Sequence, residues 1–225
     1  MYYPFLLYSH KVNLQPLFAG LKGDPFIADL STDSPLLRGM EMRDQQRLQQ
    51  VLEEKMGSEY RWGISPYLER RDTLLKDCPQ MVADNRFIHL GLDVIVGVGT
   101  PLHAPLEATV ADSGYESGEG NYGGYVLLQH DSPFFETFYS FYGHLCKDRL
   151  PAAGKLLPAG DAFAEIGGFH ENGNWFYHTH LQVITRKGLQ SGYAFKGYCA
   201  EKDLAEINDL CPSPIPFFQA NQKSA

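Results

Sequence analysis

Three short segments of the 225-residue chain carry side chains whose types and spacing could hold a metal ion and work beside it. The first is His89-Leu-Gly-Leu-Asp93. In extended backbone side chains alternate, so residues four apart share a face. His89 and Asp93 are then expected to converge on one point, with Gly91 adding no side chain between them and Leu90 and Leu92 facing the other way. The second is His178-Thr-His180, two imidazoles at a spacing of two and so again on one strand face. Two histidines and one carboxylate form a common catalytic zinc set that leaves a fourth position for water, and imidazoles favour zinc over magnesium. Tyr142-Gly-His144-Leu145 lies between the two in sequence and supplies one more histidine, placed to act beside the metal. Each pattern is weak alone, because a single histidine in an apolar strand is usually a hydrogen-bonded core residue. Their joint occurrence, in this order within one β-like stretch, carries the metal-site reading.

The elements that must position these groups read as follows. From Arg86 to about Thr185 the chain shows short apolar runs punctuated by Gly and Pro, such as RFIHLGLDVIVGVGTPLHAPLEATV, GGYVLLQHD, FETFYSFYGHL and HTHLQVITRKG, the texture of strands. The expected fold is mainly β, a compact sandwich or barrel over residues 86–186, with a mixed α and extended N-terminal region at 1–85 and a C-terminal extension at 187–225. Within the N-terminal region Leu48, Val51, Leu52 and Met56 fall on one helical face and Gly57 suits the end of that helix. The tail reads as a short helix near 201–210, followed by CPSPIPFF in extended or turn structure.

Composition narrows the partners. The net charge of −8 disfavours nucleic acid and anionic membrane surfaces, and no stretch approaches the roughly 18 apolar residues of a membrane span. The apolar N-terminus MYYPFLLYSHKVNLQPLF lacks a basic start and a small-residue cleavage site, so it reads as structure and the location as cytoplasmic. Cys78, Cys146, Cys199 and Cys211 are widely spaced without a CxxC pair, which predicts free thiols. Cys146 is expected as a buried strand residue rather than a nucleophile, and His10, His103 and His130 as surface or supporting residues.

The run from about Arg86 to Thr185 resembles the lysostaphin-type zinc metallopeptidases, a peptidoglycan endopeptidase family built on the duplicated hybrid motif. The matching pieces are HLGLDVIVGVGTPLHAPLEATV, NYGGYVLLQH, FYGHL and HTHLQV. The resemblance implies one Zn2+ per chain, held by His89, Asp93 and His180, with His144 and His178 as the catalytic pair. It implies hydrolysis of a peptide bond by metal-activated water, on a peptide or muropeptide-like substrate. Where the family has a short Gly/Ser-rich loop before its second histidine pair, this chain has GGFHENGNWFYHTH, which makes His170, Trp175 and Tyr177 candidates for substrate contact, with Arg86 and Asn121 behind them. The NGNW piece, the YLERRD segment and the CPSP tail resemble a divergent subgroup whose modules are fused to kinase-like and aminotransferase-like domains. Rival readings are an inactive metal-binding scaffold module, a phosphocarrier, which would not need Asp93, and a hydrolase of a small cytosolic amide.

Overall fold

A computed structural model describes residues 4–218; the first three residues of the apolar N-terminus and the end of the C-terminal extension lie outside them. Twelve strands form: β1 (Phe26–Ile27), β2 (Gly63–Ser65), β3 (Ile88–His89), β4 (Leu92–Ile95), β5 (Pro101–His103), β6 (Ala108–Glu116), β7 (Gly123–Ser132), β8 (Phe135–Leu145), β9 (Leu156–Leu157), β10 (Ala162–Glu165), β11 (His178–Thr185) and β12 (Tyr198–Cys199). Eight of them make one sheet in the order β1-β2-β4-β11-β8-β7-β6-β9. It is antiparallel except where β1 runs parallel to β2. The mainly β expectation holds, but the sheet stays open and no barrel closes. The ribbon β5–β10 and the pair β3–β12 complete the strands among the described residues.

Strand alternation divides the sheet into two faces. Leu92, Val94, Val126, Leu128, Tyr142, Leu181 and Val183 point to one side and pack with Leu102, Phe163 and Ala164 of the β5–β10 ribbon and with Ala104 just after β5. Removing such side chains from water, at roughly 25 cal/mol per Å2 of apolar surface, drives the layers together. The other face carries Asp93, His178, His180 and Gln182, all buried. It is covered by the N-terminal region and by residues after Thr185.

The N-terminal region is continuous with the sheet, since Gly63, Ile64 and Ser65 of β2 pair with Ile95, Val94 and Asp93 of β4. Its main helix, α1 (Gln45–Met56), starts where the Asp44 side chain accepts from the Arg47 N–H at 2.9 Å and ends at Gly57, whose φ is +54°. The buried face of α1 is Gln45, Leu48, Gln49 and Leu52, while Val51 and Met56 are only half-buried. The two glutamines are on that face because they hold backbone: Gln45 Oε1 accepts from Phe176 N at 3.3 Å and Gln49 Oε1 from Tyr177 N at 2.7 Å. Two short helices, α2 (Asp72–Leu75) and α3 (Pro79–Ala83), lead into β3. After β11 come α4 (Arg186–Gln190) and α5 (Leu204–Leu210), then α6 (Ile215–Phe218) in the segment expected to be extended. Proline is tolerated there because Pro216 stands in the first turn, where its missing N–H would have no helical partner.

Candidate metal centre

The convergence of His89 and Asp93 arises differently from the sequence expectation. They do not share one strand. His89 lies in β3, which pairs with β12, and Asp93 in β4, which pairs with β2 and β11. The break falls at Leu90-Gly91, and Gly91 is required for a contact rather than for a turn. The His180 ring lies against its α-carbon, so that an added Cβ would stand 2.7 Å from both ring nitrogens. Asp93 and His180 are direct cross-strand partners, the closest placement an antiparallel ladder offers.

Three donor atoms result. His89 Nε2 is 3.1 Å from Asp93 Oδ1 and 3.0 Å from His180 Nδ1, and His180 Nδ1 is 3.3 Å from Asp93 Oδ1. All three residues are buried and form a group able to hold a metal ion. Neighbouring ligands of a tetrahedral zinc, bonded at roughly 2.0–2.1 Å, stand about 3.3 Å apart, so the triangle fits that ion. The remaining ring nitrogens fix the tautomers. His89 Nδ1 is 2.9 Å from the Pro66 carbonyl, so it carries the proton. Gln182 Nε2 donates to the Tyr193 and Lys196 carbonyls at 3.2 and 3.3 Å. Its Oε1 therefore accepts from His180 Nε2 at 3.0 Å. Lone pairs are left on His89 Nε2 and His180 Nδ1, the two atoms that face each other. Such outer partners are what hold imidazoles in ligating orientation.

Behind Asp93 stands a buried cation. Arg71 Nη1 donates to Asp93 Oδ2 at 2.7 Å, Nε donates to Glu69 Oε2 at 2.7 Å and Nη2 to Ser65 Oγ at 2.7 Å. Arg71 and Glu69 are 1% and 8% exposed in their side chains, so this is an interior ion pair. Burial opposes ionisation of Asp93, but the Arg71 guanidinium beside it holds its carboxyl well below the usual range. Oδ2 is thus engaged and Oδ1 is free to ligate. Burial, with Arg71 next, depresses His89 to about 3, which keeps it neutral.

His144 and His178 complete the cluster, with ring centroids 4.3 Å apart. Strand alternation alone would put His144 on the same face as Tyr142, in the opposite core. Its backbone instead takes φ of +66°, a region rare for side chains other than Gly. The β7–β8 register shifts between Gly124 and Val126, opposite this point. The left-handed residue turns His144 to the site face and returns Leu145 to the core face. His144 Nδ1 is 2.8 Å from the Asn172 carbonyl and His178 Nδ1 is 2.8 Å from the Phe176 carbonyl, so both rings present Nε2 as an acceptor. His178 Nε2 stands 3.6 Å from Asp93 Oδ1. Burial lowers both histidines, His178 to about 4 and His144 well below its ordinary value.

These groups open into a cavity of about 450 Å3. Of the residues expected near substrate, Trp175, Arg86 and Asn121 line it. His170 is exposed on its loop and Tyr177 packs on Phe169 at 4.7 Å; neither is among the lining residues. His130 is buried, bonding Glu107 O and Ser140 Oγ, as a supporting residue does. All four cysteines are free, and Cys146 lies just past β8, half-buried, outside the strand assigned to it from sequence. Sequence reasoning did not single out Gln182, Asn172, Tyr122, Tyr198 or Arg71 individually. Gln182 had a signal, since it follows His180 by two on the same strand face; the others had none.

Residues 87–191 match the model of Peptidase family M23. The match covers a little under half of the chain, and this segment is similar to the family M23 peptidases. Among solved structures, the chain is similar to a zinc-containing peptidase from Vibrio cholerae, at 25% identity and TM-score 0.36, covering 44% of this chain and 28% of that one. It is similar to the catalytic domain of the antimicrobial peptidase lysostaphin from Staphylococcus simulans, at 18% identity and TM-score 0.41, over 59% of this chain and 80% of that one. It is also similar to the catalytic domain of a prophage-encoded M23 protein from Enterococcus faecalis, at 21% identity and TM-score 0.36, over 44% and 69%. No curated protein matches the chain. Among the described residues no helix is long and apolar enough to cross a membrane. The matched segment contains His89, Asp93 and His180, the group able to hold a metal ion.

Proposed function

We propose that the chain hydrolyses an amide bond in a peptide substrate, with one zinc ion held by His89 Nε2, Asp93 Oδ1 and His180 Nδ1. The triangle of 3.0, 3.1 and 3.3 Å between these atoms carries the reading, because two imidazole lone pairs and a carboxylate oxygen that close have no proton to share among them. When bound, zinc supplies a Lewis acid and lowers the pKa of a bound water toward neutrality. The chain's own residues do the rest. Arg71 holds Asp93 by one oxygen only. Gln182 and the Pro66 carbonyl fix the ring orientations. His144 and His178, each with Nδ1–H tied to a backbone carbonyl, offer Nε2 to take a proton from water and to return it to the departing amine. Water's oxygen bonds to the acyl carbon, the C–N bond breaks, and the amine leaves protonated, with no covalent enzyme intermediate.

Metal analysis and kinetics test this together. The purified protein should hold about one zinc per chain, lost in His180→Ala and Asp93→Ala. His144→Ala and His178→Ala should keep zinc while activity falls about 10²–10⁴-fold. No transition metal after metal-replete expression would refute the metal centre. Loss of zinc from either catalytic variant would refute the division into ligands and catalysts.

A further inference from the structure

The walls of the cavity restrict what can enter. The turn at residues 118–121, between β6 and β7, is tied to two other segments. Asn121 Oδ1 accepts from Gln80 Nε2 of α3 at 3.4 Å, and Gly120 lies so near Cys78 that a Cβ there would be 3.2 Å from its Sγ. On the other side Trp175 Nε1 donates to the Asn121 carbonyl at 3.1 Å and Gly120 N donates to the Gly173 carbonyl at 3.0 Å. A strip from α3 through the turn to the Trp175 loop is therefore closed by contacts, and an extended chain has no exit across it. The cavity's volume of about 450 Å3 is in the range of small-ligand sites.

Among the described residues that line the cavity, Arg86 is the arginine available to a ligand. Arg71 also lines the cavity, but Asp93 and Glu69 consume its charge. The Arg86 side chain is 15% exposed; its Nε donates to Asp84 Oδ2 at 3.1 Å, a carboxylate that is 64% exposed, and Nη2 reaches the Gln80 carbonyl only at 3.4 Å. Nη1 has no bond among the described residues. Burial raises the Tyr122 hydroxyl well above its ordinary range, and Arg86 stands near enough to act against that shift. That hydroxyl is buried without a hydrogen-bond partner. Glu116 also lines the cavity, with its carboxylate accepting from Tyr122 N at 3.1 Å.

We propose that the cavity is a chain-end site, taking the last residues of a short peptide with its C-terminal α-carboxylate on the Arg86 guanidinium. This rests on the reading of the metal centre as an amide hydrolase, and it makes the substrate a short peptide with a free carboxyl terminus. A guanidinium matches a carboxylate by paired N–H donors, and such charge-assisted bonds are roughly twice as strong as neutral ones.

Calorimetry tests the proposal apart from turnover. Zinc-loaded full-length His144→Ala, in which the ligand survives the titration, is offered N-acetyl-alanyl-alanine and the same peptide with a C-terminal amide. The free acid should bind about 10–100-fold tighter, the range for one hydrogen bond to a charged group. Adding Arg86→Gln should abolish that preference, and Arg86→Lys should restore part of it; thermal unfolding checks that both variants fold. Equal binding of acid and amide, binding of neither, or a preference that survives Arg86→Gln overturns the proposal. Acid-selective binding lost with Arg86→Gln, but without hydrolysis by the wild type, leaves it standing and refutes the hydrolase reading instead.

Discussion

Gly91→Ala is the most economical probe of the metal centre. The φ of Gly91 is not in the left-handed region, so its backbone conformation is open to alanine and the variant introduces one methyl group and nothing else. That methyl would stand 2.7 Å from both nitrogens of the His180 ring, against roughly 3.5–4.0 Å for an ordinary contact. Something must retreat by about 1 Å, whereas metal–ligand distances are held within about 0.2 Å. If His180 moves, Nδ1 leaves the triangle. If the segment joining β3 to β4 moves instead, it pulls on His89 two residues before or Asp93 two residues after. Every relaxation thus displaces a ligand. Disturbing a mere supporting partner of a ligand typically weakens metal binding about 10–100-fold, so zinc affinity should fall by at least about 100-fold here. Competition with a chromophoric chelator measures it. Gly97→Ala is the control: Gly97 is exposed, has no positive φ and would meet nothing within 4 Å. Zinc affinity in Gly91→Ala within about threefold of wild type, the scatter expected of a harmless change, would refute the packing of His180 on Gly91.

Arg71→Met should destabilise the fold by about 3–5 kcal/mol in urea unfolding, because it leaves Glu69 and Asp93 buried without their counter-charge; a loss under about 1 kcal/mol would show the pair is not an interior anchor. Chelation of the metal should lower the unfolding temperature, since a ligand present at about 1,000 times its Kd adds about 4 kcal/mol to stability; identical melting with and without chelator speaks against a site in the folded state. His130, far from that site, is held by burial at about 4 against an ordinary 6.5. Its folded pKa is depressed, so the unfolded chain takes the proton first: stability is full above about pH 6.5 and falls by about 3 kcal/mol toward pH 4. The difference in stability between wild type and His130→Gln should change with pH over that window, and a pH-independent difference would contradict the buried neutral ring.

Much of the centre was legible because it depends on spacing within single strands. His178 and His180 share a face by the period of two, and Gln182 continues that face. The mainly β character of residues 86–186 follows from the same alternation of apolar residues and Gly/Pro punctuation. The period of two fails where the backbone departs from it. His89 and Asp93 converge across a break between two strands, and His144 reaches the site only because its left-handed backbone reverses the parity of β8. No residue type announces either event. Arg71 was visible only as one charge in YLERRD, because nothing local ties it to a carboxylate 22 positions away. Gln45 and Gln49 read as the polar side of α1, yet they are buried against the backbone that leads into His178. Local sequence sets which side chains can share a face. Which faces meet is decided by sheet order and by the segments laid over the sheet. The walls that close the cavity, drawn from α3, the turn at 118–121 and the Trp175 loop, belong to that second class and exist only in the tertiary structure.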